Sequence, residues 1–140
     1  MDEKPKKARN FRNYNVWQDA VEYASKVYKI TAEMPWFEKK GLCDQLQRAA
    51  VSISSNIAEG AAKPSDTEFA HFLDTALGSA FEVETQLLIA KNVGYITSAN
   101  ANHNANHNAN HNGSVTYEEL LEGIDNIEHQ LAALIKTLRQ

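Results

Sequence analysis

The chain has little of what interrupts a helix. Three prolines and six glycines are all that its 140 residues contain. It has one cysteine, Cys43, so an internal disulfide is excluded and a reducing cytoplasm is the expected setting. Cys43 opens an apolar pattern and reads as a small core residue. No apolar run approaches the roughly 18 residues of a membrane span, and the start Met1-Asp-Glu-Lys4 lacks a secretory apolar stretch. Catalytic motifs are missing too. Ser52, Ser54 and Ser55 have no Gly-x-Ser-x-Gly elbow, and no glycine-rich phosphate loop occurs. His71 is a lone helical histidine, and Glu128 directly precedes His129, the wrong spacing for a Glu-x-x-His metal motif. These absences argue against an enzyme, a cofactor or a small-molecule substrate. The net charge of −4 excludes a general polycation that coats phosphate. Aromatic residues, at 9%, do not interleave with Lys and Arg as in a single-strand stacking groove.

What is present is helical periodicity. Trp17, Ala20, Ala24, Val27, Tyr28, Thr31 and Met34 recur at steps of three and four, predicting a first helix over Asn15 to Met34. Pro35 ends it, and Trp36 and Phe37 are expected to close one end of the core. A second helix is expected over Leu42 to Glu59, with Leu42, Leu46, Ala49, Ile53 and Ile57 inward and Gly60 as its cap. Ser65-Asp-Thr-Glu68 is a capping box for the third, whose buried face runs from Phe69 to Ala90. Gly78-Ser79-Ala80 within it suggest a closely packed neighbour, and Gly94 ends it. Thr116-Tyr-Glu-Glu119 caps the fourth, which continues through Leu120, Ile124, Ile127, Leu131, Leu134 and Leu138. Four such segments imply an all-α, up-down-up-down four-helix bundle over 13–140. Residues 1–12 form a basic arm. Its Lys4, Lys6, Lys7, Arg9 and Arg12 read first as a solvated terminus and second as a nucleic-acid contact.

A polar repeat interrupts the bundle at about 98–114. Asn100 to Asn112 repeat Asn-Ala-Asn-His with asparagine at every second position, followed by Gly113-Ser114. Seven asparagines at about 0.6 kcal/mol each oppose helix by roughly 4 kcal/mol. A flexible polar loop is the preferred reading. Two others stand beside it. His103, His107 and His111 would line one face of a helix and bind zinc or nickel, or stacked copies would form asparagine ladders. The regularity has the character of an engineered insertion in a loop that tolerates length.

The stretch Arg48-Ala-Ala-Val-Ser-Ile-Ser-Ser-Asn-Ile-Ala-Glu-Gly60 places Ser52, Ser54, Ser55 and Asn56 in the middle of a helix. Such residues compete with the helix backbone for hydrogen bonds, which suits a face against close neighbours. Arg48, Ser52, Asn56 and Glu59 with Glu82 and Glu84 on the third helix form the expected structural polar network, with Arg48 paired to Glu82 or Glu84. The segment resembles the signature of the 23S rRNA intervening-sequence protein family. Trp17, Tyr28, Pro35, Gly41-Leu42, Gln45-Leu46, Phe72-Leu73, Ala76, Gly78-Ser79, Glu82, Glu84-Thr85, Leu87 and Gly94-Tyr95 extend the resemblance over about residues 11 to 97. That resemblance implies a small cytoplasmic bundle, assembled as a homopentamer and associated with RNA. Related accessory proteins of diversity-generating retroelements bind nucleic acid through basic surfaces, a pattern from which this acidic chain departs. The alternative is a structural assembly that displays the inserted peptide.

Overall fold

The computed structural model describes residues 9–98 and 115–140. Four helices carry the chain: α1 (Asn15–Thr31), α2 (Leu42–Ala61), α3 (Asp66–Asn92) and α4 (Tyr117–Leu138). There is no strand among the described residues. Each helix packs on its neighbours in the closed order α1, α2, α3, α4. The α2–α3 contact is the most extensive and α1–α4 the slightest, as an up-down bundle requires. No helix among the described residues is long and apolar enough to cross a membrane.

The ends follow from local chemistry. Thr116 caps α4 with both halves of a capping box: its hydroxyl accepts from the Glu119 amide, and the Glu119 carboxylate accepts from the Thr116 amide. At α3 only one half forms. Ser65 Oγ accepts from the Glu68 amide at 3.1 Å, but Glu68 takes the Ser65 hydroxyl proton instead of the amide. The far end of α3 is a Schellman turn. Gly94 sits at φ 86°, where an L side chain is strained, and the Tyr95 amide reaches back to Ala90 O at 2.8 Å. Helix α1 stops at Thr31, three residues short of the expected Met34, because the bonds from Glu33 and Met34 tighten to i→i−3 ahead of Pro35. Helix α2 begins after Gly41, which has no capping side chain. Glu38 supplies one instead, its Oε1 accepting from the Leu42 amide at 3.1 Å.

The buried faces differ from the expected stripes in instructive ways. In α1, Val16, Tyr23 and Ile30 join the core, Trp17 is half-buried and Tyr28 is exposed, so the stripe is rotated by about one residue. The Tyr23 hydroxyl explains part of this: it donates to Leu120 O on α4 at 2.6 Å. Trp36 and Phe37 do not close the core. They lie on a short 3-10 turn, 86% and 62% exposed. Gly60 is not a cap but part of α2's last turn, buried where α3 crosses. A Cβ there would lie 2.5 Å from Phe72 Cβ and 3.0 Å from Phe69 Cδ1. Gly78 is the reverse case: nothing lies within 4 Å of where its Cβ would be, so Ser79 and Ala80 make the close contacts of that segment.

The two glycines therefore predict opposite outcomes. Gly60→Ala should cost about 1–3 kcal/mol through overpacking against Phe72, whereas Gly78→Ala should gain up to about 1 kcal/mol from helix propensity. Urea titration followed by circular dichroism measures both.

Candidate functional site

Of the four polar residues in the middle of α2, Ser52 and Asn56 face α3, whereas Ser54 donates to Val51 O at 3.2 Å within its own helix and Ser55 is exposed, contrary to the expectation of close neighbours for all four. Ser52 Oγ lies 2.8 Å from Ser79 Oγ, and Asn56 Nδ2 donates to Ser52 O at 2.8 Å and Ser52 Oγ at 2.9 Å. Ser52, Asn56 and Ser79 thus satisfy one another at a seam of small residues, each bond contributing about 1 kcal/mol net. Arg48 does not join this seam. Its Nε donates to Asp44 Oδ2 at 2.9 Å within the same helix, and its side chain is 79% exposed. An i,i+4 carboxylate is reachable without crossing to α3, so the expected pairing with Glu82 or Glu84 is replaced by a local one. Glu59 is exposed, and Glu82 accepts only a long 3.5 Å bond from Gln86.

Glu84 instead turns toward α4, where it meets Glu128. Helix α4 positions Glu128 four residues after Ile124 and three before Leu131, at the margin of its apolar stripe. Burial there pushes the Glu128 carboxyl up to about 7; its hydrogen bond to Glu84 and the charges of Glu84 and Asp125 act in the same direction. Glu128 Oε2 is sheltered and has no hydrogen-bond partner among the described residues. A proton on Glu128 bonds the pair; its loss sets two carboxylates against each other. Tyr23 feels the same site, its hydroxyl pKa raised first by burial and then by Glu128 and Glu84. This pair was not foreseen from sequence, although the place of Glu128 on the stripe margin was a readable signal.

The basic arm divides. Lys4, Lys6 and Lys7 lie outside the described residues, as do His103, His107 and His111. Arg9 is committed to the fold. It donates to Lys63 O at 2.7 Å, pairs with Asp66 and stacks over the Phe69 ring at 4.7 Å. Arg12 is exposed and lies over Phe11 at 4.5 Å. Arg9 and Arg12 together line a cleft of about 800 Å³ against the α2–α3 turn, with Lys63 on its other side.

Residues 12–112, well over half of the chain, match the family described as 23S rRNA-intervening sequence protein. The chain belongs to the 23S rRNA-intervening sequence protein family. No curated protein matches it. Among solved structures it is similar to a Bacteroides thetaiotaomicron protein described as having unknown function and coming from the S23 ribosomal protein family. The TM-score is 0.66 at 25% identity, over 86% of this chain and 98% of that one.

No three His, Cys, Asp or Glu side chains gather as a cation site among the described residues. A second groove, at the α1–α2 end, was missed by sequence reading. It brings Tyr28 of α1 and Arg48 of α2 beside Trp36, Lys39 and Lys40; those last three are close in sequence, but Tyr28 and Arg48 join them only in the fold.

The carboxyl pair makes a signed pH prediction. Glu128 has its folded pKa raised above the ordinary 4.5, so its stabilisation is fully present below about 4.5 and is lost as pH rises through about 7. Thermal melts should therefore fall from about pH 5 to about pH 8 in the native chain. Glu128→Gln should flatten that dependence and melt higher at the alkaline end.

Proposed function

We propose that this chain is a non-enzymatic scaffold that self-assembles, as a homopentamer, and holds nucleic acid. The observation that carries the reading is the placement of its exposed large apolar side chains. Phe81 and Leu88, about half exposed, lie two turns apart on the outer face of α3; Val21 on α1 and Val51 on α2 lie on the other side of the bundle. The α1–α2 and α3–α4 sides are opposite in an up-down ring, and two different apolar faces suit a head-to-tail contact that closes into a ring. The nucleic-acid part rests on the family's description, on Lys4, Lys6, Lys7 and Arg12, and on repetition: five copies of one weak basic arm concentrate charge on one assembly.

A second reading, a scaffold for the repeat segment, is favoured by one contact. The Tyr117 amide donates to Thr97 O at 2.9 Å, so the chain leaves the bundle after α3 and re-enters before α4 at a single point. The helical body is complete without what lies between.

Light scattering should give a mass about five times the 15.6 kDa of one chain. Phe81→Glu with Leu88→Glu should reduce it to one copy; an unchanged mass rejects the apolar contact. Binding to a labelled RNA should weaken with salt at a log–log slope of roughly 0.7 per neutralised phosphate. That slope should shrink when Lys4, Lys6, Lys7 and Arg12 become alanine, with Arg9 left in place to hold the fold. Replacing residues 99–114 by a short Gly-Ser link should leave both mass and melting temperature unchanged.

A further inference from the structure

We infer that the groove between the end of α1 and the start of α2 is a binding site for an unpaired nucleotide of a single strand, with the base on Trp36 and Tyr28 and the phosphates on Lys39 and Lys40. The inference deepens the nucleic-acid reading above and rests on it. The groove holds about 850 Å³ and is floored by Thr31, Met34 and Cys43, within the range of sites that enclose small molecules.

Three observations point to this occupant. The first is the aromatic pair. Trp36 is 86% exposed and Tyr28 49%, in a bundle whose other tryptophan is half-buried. Every base has a face that stacks on such rings, whatever its identity.

The second is charge. The groove is lined by Lys39, Lys40 and Arg48 against a single carboxylate, Asp44, and Arg48 already neutralises Asp44. Lys39 and Lys40 are both exposed and have no ion-pair partner among the described residues. Two uncompensated ammonium groups on a chain of net charge −4 are a local reversal of sign. A second copy of this chain fits less well, since lysine is depleted from the cores of protein interfaces while aromatic–cation grooves are what single strands occupy.

The third is rigidity. The turn that carries Trp36 is held from both sides. Glu38 accepts from the Leu42 amide at 3.1 Å and from the Tyr95 hydroxyl at 2.9 Å. Phe37 packs edge-on between Trp36 and Tyr95, at 6.1 and 6.4 Å between ring centres. Gly41 leaves the Glu38 carboxylate its place, since a Cβ there would lie 2.8 Å from Glu38 Oε1. An exposed aromatic on a fixed platform loses little freedom when a base stacks on it.

The test uses the full-length chain and a fluorescein-labelled, unstructured oligonucleotide of about ten nucleotides in RNA and DNA forms, titrated by anisotropy at low salt. Trp36→Ala should weaken binding about tenfold, while Trp36→Phe should retain most of it. Lys39→Glu with Lys40→Glu should weaken it and flatten the salt dependence. Circular dichroism and light scattering run in parallel on each variant, and all of these residues are exposed, so fold and mass should be unchanged. If the native chain binds and these variants bind equally well, the groove is not the site, while the nucleic-acid reading stands on the arm. If Trp36→Ala lowers the assembly mass, the groove is a contact between copies and the inference is overturned. If the native chain fails to bind either strand, both readings fall together.

Discussion

The close approach of α2 to α3 governs the rest of the bundle. Gly60 lies under Phe72 and Phe69, Ala49 and Ala50 are buried on α2, and Ala76 and Ala80 are buried on α3. Small residues let the two backbones come near; Ile53, Ile57, Leu73 and Leu87 then fill the remaining core volume. The Ser52–Ser79 contact, reinforced by Asn56, fixes the register of that seam, because hydroxyls sheltered between helices need partners at one particular level. With α2 and α3 set, α1 and α4 are placed by the stripes they present.

The ionisable chemistry gathers around α4, whose flank toward α3 carries the carboxyl pair and whose slighter contact with α1 carries Tyr23. Helices α1 and α4 meet where Tyr23 donates to Leu120 O and packs over Gly123. Close by, Glu84 and Glu128 share a site that favours one proton over two charges. This is a destabilising feature at high pH in a fold that is otherwise well satisfied. The basic residues follow a different logic. Arg9 is built into the α2–α3 turn by a carbonyl, a carboxylate and a ring, whereas Arg12, Lys39 and Lys40 stay at the surface, free to meet a polyanion.

Much of this was readable along the chain. The capping residues Ser65 and Thr116 and the turn at Gly94 stand where their chemistry requires, since a cap involves atoms only a few residues apart. The errors have separate causes. Trp36 and Phe37 read as a core lid because apolar residues after a helix often fold back, but the turn at Pro35 carries them outward. Gly60 read as a cap from its position after Glu59, and only the crossing of α3 reveals why no side chain fits there. Arg48 read as a cross-helix partner because Glu82 and Glu84 had suitable charge; Asp44 was nearer.

The order of elements alone therefore determined four amphipathic rods, their ends, and a small, hydroxyl-rich face on the second. These depend on interactions between residue i and i+3 or i+4, which a linear pattern records. Tertiary structure alone decided which carboxylate Glu128 would meet, that Arg9 would be enclosed, and that Trp36 and Tyr28 would share a groove with Lys39 and Lys40. Those pairings depend on the rotation and register of one rod against another. Side-chain packing over the whole core sets both, and no single segment encodes them.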